Sequence, residues 1–362
     1  MPQRINFARG VPAEAAFPRE QIAICTEALA SKPEVDAFQY GPAVGPLRLR
    51  EWLAAHHGVD LQNVMVGDGS VALFDILCRL WLKPGQTVLV EEPCYDRILH
   101  LLRYYGANVI TVPLESDGPN LELLEAAAKN TPLFLYTVPD FQNPSGVVWS
   151  AEKRLHLVEL ARRHNFLIVE DSPYRLLRYK SVQCSSFLEL GRDVTVRLGS
   201  FSKVIAPALR AAYLIAAPEI VIAAAKLAEN TYVTPGNFAL SVAGEWLQRG
   251  YLGTQLVTLK NLYAPRLQAM VSALNEFMPT HRFANPEGGF FVGVTLSQPV
   301  DAGRLKERAD QMGIDLADGA GFFFSKQPTP FLRLPFCSMD GDTVRRGVRM
   351  LACTIEDCLA TA

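Results

Sequence analysis

No stretch of the 362-residue sequence reaches 18 consecutive apolar residues, so no segment is expected to cross a membrane as a helix. The opening residues, MPQRINFARG, lack the apolar core of a secretory signal. Basic runs are missing too. Thirty-five Lys and Arg stand against 37 Asp and Glu, the formal net charge is −2, and no basic stripe forms, which argues against nucleic acid and anionic membranes as partners. The seven cysteines (25, 78, 94, 184, 337, 353, 358) are odd in number and form no Cys-x-x-Cys pair. That usage suits reduced thiols in a cytoplasm, mostly buried as small hydrophobes. Histidine is scarce, at six, and the adjacent His56 and His57 would point to different sides of a helix, so no metal site is expected. Repeats, low-complexity tracts and flexible linkers are absent.

What is present is a chain able to bury a large core, 49% hydrophobic and 20% charged, with a length that favours two domains. Short apolar runs recur at 64–66, 87–91, 108–112, 132–138, 166–170, 194–199 and 211–217. They are rich in Val, Ile and Leu with little alternation, as in a sheet covered on both faces. Between them lie helical patterns such as 150–164, with Ser150 as N-cap and Leu155, Val158 and Leu160 on its apolar face. The alternation predicts an α/β fold with a mostly parallel, doubly wound sheet. From about 243 the pattern changes. A helix to about 277, kinked near Pro265, precedes strands at 290–296 and 331–336 and helical patterns at 301–312 and 341–360, which reads as a smaller α+β domain. The expected division is an N-terminal arm or part of the small domain, 1–30, proline-punctuated and crossing between domains or subunits, then a large domain that binds the ligand, 31–245, and a small one, 246–362.

Among the ten lysines, Lys129, Lys153 and Lys306 are expected on polar helix faces and Lys83 before a Pro-Gly turn. Lys203, in GSFSKVIAPALR, has no such explanation. A lysine in apolar surroundings has a lowered pKa and becomes an amine able to form an imine; the competing reading is an ordinary surface lysine. Ser200, Ser202 and Arg210 could together bind one phosphate dianion. In GDGSVALFDILC, Gly69 and a helix starting near Ser70 would aim the N–H groups of Ser70 and Val71 at the same anion, although a structural turn with an N-cap is the better reading of the motif taken alone. Asp171 ends the strand FLIVED, where α/β sheets bind ligands, and a buried Asp there needs a cationic partner such as a protonated ring nitrogen. Otherwise it caps the next turn. Asn143, in NPSG, is a turn residue or an amide donor to a ring oxygen. Tyr174 offers a second donor, and Tyr95 a flat face for stacking.

In order along the chain, QYGPAVGPLRLREWLA at 39–54, the turn at 67–72, NPSG at 143–146, EDSPY at 170–174, SFSK at 200–203 and FLRLPF at 331–336 resemble the fold type I enzymes dependent on pyridoxal 5'-phosphate (PLP). Within them the chain is similar to the class I/II aminotransferases of 2-aminoadipate and kynurenine type, and to the aminotransferase-like half of MocR-type regulators. The resemblance covers nearly the whole chain. It implies a Schiff base to PLP on Lys203, which also shuttles a proton, and transfer of an α-amino group to a 2-oxo acid through pyridoxamine phosphate. It implies that Asp171 pairs with the pyridine nitrogen, that Asn143 and Tyr174 bind the ring oxygen, and that Tyr95 stacks on the ring. Gly69, Ser70, Val71, Ser200, Ser202 and Arg210 would hold the phosphate. Tyr40 would reach the neighbouring subunit's site in a homodimer, and Arg333, which by alternation alone is the outward-facing residue of a strand, would bind the substrate carboxylate, with Asn143 and Tyr40 beside it. Ala208 and Ala212 depart from the glycines common after the lysine. A regulator would carry an N-terminal DNA-binding domain, for which Tyr40 leaves no room. β-Elimination, decarboxylation and oxidation stay open, because the sequence does not show which bond at Cα lies perpendicular to the ring. No residue near 10–20 or 230–240 matches a particular substrate.

Overall fold

A computed structural model describes residues 4–31, 37–180, 183–325 and 330–360. Its strands, in chain order, are β1 (Ile5–Phe7), β2 (Val64–Asp68), β3 (Thr87–Glu92), β4 (Asn108–Glu115), β5 (Gly118–Pro119), β6 (Phe134–Thr137), β7 (Leu167–Asp171), β8 (Thr195–Ser200), β9 (Ala211–Ile215), β10 (Arg282–Phe283), β11 (Phe291–Thr295), β12 (Ile314–Leu316) and β13 (Phe331–Pro335).

Eight of them form one sheet in the order β2-β9-β8-β7-β6-β3-β4-β5. The pairs β3–β4, β3–β6, β6–β7 and β7–β8 are parallel. Strand β9 runs antiparallel to both its neighbours, and β5 to β4. The mostly parallel α/β sheet expected from the apolar runs is therefore present, with every one of those seven runs on a strand. Residues such as Val90, Ile168, Val169 and Leu198 are fully buried because helices cover both faces. Each such side chain contributes about 1.5–3 kcal/mol, and truncating Leu198 to Ala would cost about 2–5 kcal/mol. Strand order reverses at β3: the chain passes first to β4 on one side and later returns, after β5, to β6 on the other. This reversal opens a crevice at the carboxyl ends of the strands.

The remaining strands make a three-stranded antiparallel sheet, β10-β11-β13, and a parallel pair in which Ile5 of β1 lies opposite Ile314 of β12. The N-terminal segment thus joins the C-terminal part of the chain. Instead of a merely proline-punctuated arm, it also holds a helix, Arg19–Ser31, begun just after Pro18.

Three local expectations need correction. The helix predicted from 243 to 277 is two helices, Asn237–Gln248 and Leu252–Phe277, broken where Gly250 takes φ +75°. The second helix continues through Pro265. In the helix Ala151–His164, Ser150 does cap Lys153 N–H, but Leu155 is 50% exposed and Leu157 and Ala161 share the buried face with Val158 and Leu160. The stripe is shifted because Lys153 turns inward, its Nζ 2.6 Å from Glu115 and 2.8 Å from Asp117. Pairing with two carboxylates satisfies the charge that the periodicity assigned to solvent.

Candidate active site

Every predicted site residue except Tyr40 lines one cavity of about 680 Å³ at the carboxyl ends of β3, β6, β7 and β8. At one end the helix Ser70–Trp81 begins, so the N–H groups of its first turn and its positive dipole end face the space. Gly69 has φ +109°, a conformation that residues with a side chain rarely adopt, and a Cβ there would crowd Arg210 Nη2. Arg210 is itself left-handed, φ +53°, and its Nη2 donates to Asp68 O at 3.2 Å. Ser202 N–H donates to Ser200 Oγ at 3.2 Å. Two hydroxyls, a guanidinium and a helix N-terminus converge there, which suits a phosphate dianion. Ala212 sits buried opposite Ser200 across β8 and β9, packed without disturbing that cluster.

Lys203 follows β8 and reaches the cavity with Nζ 6.0 Å from the Phe290 ring centre. Burial lowers its pKa; nearby Arg210 and Arg333 push the same way, and the Cys337 thiol opposes them. Its place on the cavity wall, rather than on an outer helix face, does not fit an ordinary surface lysine.

Asp171, the last residue of β7, is 3% exposed. Its Oδ2 accepts a 2.7 Å hydrogen bond from the Tyr136 hydroxyl, while buried Oδ1 has no partner. Burial raises its pKa to about 7; the Tyr136 hydrogen bond lowers it, and the charges of Glu170 and Glu91 raise it. The turn-cap reading finds no support, because Oδ2 is taken by the Tyr136 hydroxyl and Oδ1 accepts from no backbone N–H of the following turn. A protonated ring nitrogen supplies the donor and the positive charge that Oδ1 lacks. With the phosphate cradle, this orphaned oxygen makes the residues present a fit for PLP.

Asn143 and Arg333 are joined: Arg333 Nη1 donates to Asn143 Oδ1 at 3.1 Å, leaving the Asn143 amide nitrogen free to donate elsewhere. Arg333 is not the outward residue that strand alternation gave. Its guanidinium lies 4.8 Å from both the Phe291 and Phe322 ring centres, its Nη2 donates to Ala8 O at 2.7 Å, and its Nε is buried without a partner. Tyr174 is buried beside Phe290 and Phe291, and Tyr95 is half-buried at the start of the helix Asp96–Tyr104; burial raises both phenol pKa values. Tyr40 stands apart from its own chain's cavity, 77% exposed, near the stacked pair Phe38 and Phe238.

Sequence reasoning missed the residues beneath this surface. Gln142 locks the Asn143 loop, accepting from Ser145 N and Oγ at 2.8 and 2.7 Å and donating to Pro93 O at 2.7 Å. Buried Glu91 accepts from Thr137 Oγ1, Val138 N and Trp149 Nε1 at 2.8, 2.9 and 3.2 Å. Lone polar residues inside apolar strands, Glu91 and Tyr136, were the available signal. Arg9, Arg97, His100, Asp96 and Asp318, around the cavity mouth, carry no pattern that marks them.

An α/β sheet whose strand ends bring a lysine, a cluster suited to a phosphate and an orphaned carboxylate into one cavity has the make-up of a PLP-dependent enzyme of fold type I. The sequence profile of the family described as Aminotransferase class I and II matches residues 5–351, and the chain belongs to that family. It is 33% identical to aromatic-amino-acid aminotransferase 1 of Thermococcus litoralis, over 98% of this chain and 88% of that protein. It is 32% identical to 2-aminoadipate transaminase of Thermus thermophilus, over 99% of this chain and 92% of that protein. The crystal structure of α-aminoadipate aminotransferase from Thermus thermophilus, complexed with N-(5'-phosphopyridoxyl)-L-leucine, superposes with a TM-score of 0.94 at 31% identity, covering 99% of this chain and 94% of the other. The protein is a PLP-dependent aminotransferase acting on amino acid and 2-oxo acid substrates.

Proposed function

We propose that Lys203 carries the cofactor and moves the proton of the reaction, that Asp171 pairs with the ring nitrogen, and that Arg333 binds the substrate α-carboxylate. The observation that carries this is the unpartnered Oδ1 of Asp171, buried in the same cavity as Lys203 and Arg333. PLP supplies a carbonyl carbon that condenses with amines and a conjugated ring that takes up the electron pair released at Cα. The protein does the rest. Arg333 offers a planar fork to the carboxylate and is held rigid by two aromatic rings and Asn143. With the carboxylate fixed, the Cα–H bond can face Lys203, whose amine is favoured by burial in the neutral form that accepts a proton. Ser200, Ser202, Arg210, Gly69, Ser70 and Val71 anchor the phosphate, Asn143 and Tyr174 address the ring oxygen, and Tyr95 covers a ring face.

At the mouth, the exposed Arg9 and Arg97 favour an acceptor with a second carboxylate, 2-oxoglutarate over pyruvate. The exposed Tyr40, away from its own chain's cavity, supports a homodimer in which Tyr40 completes the partner's site, checked by light scattering, where an active monomer refutes it. The arm at 1–30, the large domain at 31–245 and the small domain at 246–362 are supported by the eight-stranded sheet lying within 64–215 and by β1 pairing with β12. No helix among the described residues is long and apolar enough to cross a membrane. The unpaired state of all seven cysteines supports a reducing, cytoplasmic setting, which fractionation of cells would check.

Single-turnover absorbance tests the function. Added α-amino acids should convert the bound cofactor to its pyridoxamine form. In Arg333→Lys that conversion should slow by roughly two orders of magnitude, if the paired hydrogen bonds are worth about 3 kcal/mol. Amines without an α-carboxylate should be far less affected. Equal rates for both proteins on every α-amino acid would remove Arg333 from the role.

A further inference from the structure

We propose that Tyr136 is a positioning residue for the cofactor end of the site: its hydroxyl ties down one oxygen of the Asp171 carboxylate, so that the other is presented ionised and in one orientation to the ring nitrogen. The inference rests on the reading that Asp171 faces that nitrogen.

The geometry begins with sheet register. Tyr136 on β6 lies opposite Val169 on β7, and Asp171 lies two residues further along, on the same face as Val169. A diagonal neighbour at that separation is within reach of a tyrosine side chain but not of a short one. The Tyr136 ring is wholly buried and is held edge-on by Phe74, with centroids 5.2 Å apart and planes at 64°. Its hydroxyl ends 2.7 Å from Asp171 Oδ2, a distance typical of a hydrogen bond to a charged acceptor. One carboxylate oxygen is thus fixed and the other, Oδ1, is left bare toward the cavity.

The groups around Asp171 make this hydrogen bond matter. Glu170 adjoins it on β7, the charge of Glu91 reaches it from β3, Tyr95 and Tyr174 approach from beyond the strand ends, and Cys94 lies near Tyr136. Burial and the two carboxylates favour the neutral acid; the Tyr136 hydroxyl opposes them. A protonated Asp171 would turn a hydrogen atom toward the ring nitrogen or lose its charge, and the pairing would weaken.

Two measurements on Tyr136→Phe separate positioning from packing. In cofactor-free protein, the infrared carboxylic-acid band that disappears in Asp171→Asn should titrate about one to two pH units higher in Tyr136→Phe than in wild type. For binding, PLP is compared with its carbocyclic analogue lacking the ring nitrogen. Wild type should prefer PLP, and Tyr136→Phe should narrow that preference about tenfold while leaving affinity for the analogue unchanged. Fluorotyrosine at position 136, a stronger donor, should move the Asp171 titration downward, which keeps the test open should Tyr136→Phe fold poorly. An unmoved titration with an unchanged preference overturns the proposal. Equal affinity of wild type for PLP and the analogue would instead overturn the pairing of Asp171 with the ring nitrogen, and the proposal with it.

Discussion

The two ends of the cavity are built on different principles. At the cofactor end, Asp171 and Ser202 are less than a tenth exposed, Gly69 and Arg210 occupy positive-φ conformations, and Gln142 and Glu91 brace the Asn143 loop and the end of β6 from below. At the mouth, Arg9, Arg97 and His100 are exposed, and the nearest carboxylate to Arg97 is 4.0 Å away in its neighbour Asp96. One end spends backbone strain and buried polar groups on a single ligand. The other leaves exposed charges that can meet several. The difference fits an enzyme that holds one cofactor permanently and exchanges two substrates through the same opening.

Substitutions at the two ends should therefore differ in kind as well as size. Asp171→Ala removes the counter-charge of the ring nitrogen, and kcat should fall roughly 10²–10³-fold or more for every substrate. Steady-state assays with at least two amino acids check this, and near-full activity would reduce Asp171 to a structural residue. Arg97→Ala should act mildly and selectively. The KM for 2-oxoglutarate should rise about three- to tenfold, the worth of one exposed charge contact, with pyruvate unaffected. An equal rise for both acceptors would show that the mouth does not read the second carboxylate, and the contrast between the two ends would lose its functional meaning.

The same contrast governs what the sequence could tell. The cofactor end was legible because each of its residues sits in a short segment with its own signal: a glycine before a helix start, an acid at a strand end, a lysine without a polar face. Lys203, Asp171 and Arg210 accordingly meet in one cavity. Arg333 needed the resemblance, since its inward direction depends on Phe291 and Phe322 from other segments. Tyr136 was hidden because its role lies in a diagonal contact across two strands, which residue periodicity within β6 cannot reveal. Lys153 misled for a related reason: its carboxylate partners, Glu115 and Asp117, are over thirty residues away. The helix break at Gly250 was missed because a glycine inside an apolar pattern is often tolerated within a helix, and the positive φ that makes it a stop belongs to the folded chain.

The central claim is that Lys203 carries the cofactor. Borohydride reduction of the PLP-loaded enzyme, followed by peptide mapping, tests it most directly. The account predicts one pyridoxyl adduct, on the peptide containing Lys203, and none at position 203 when the lysine is replaced by alanine. A stoichiometric adduct on any other lysine, with Lys203 unmodified, would contradict it.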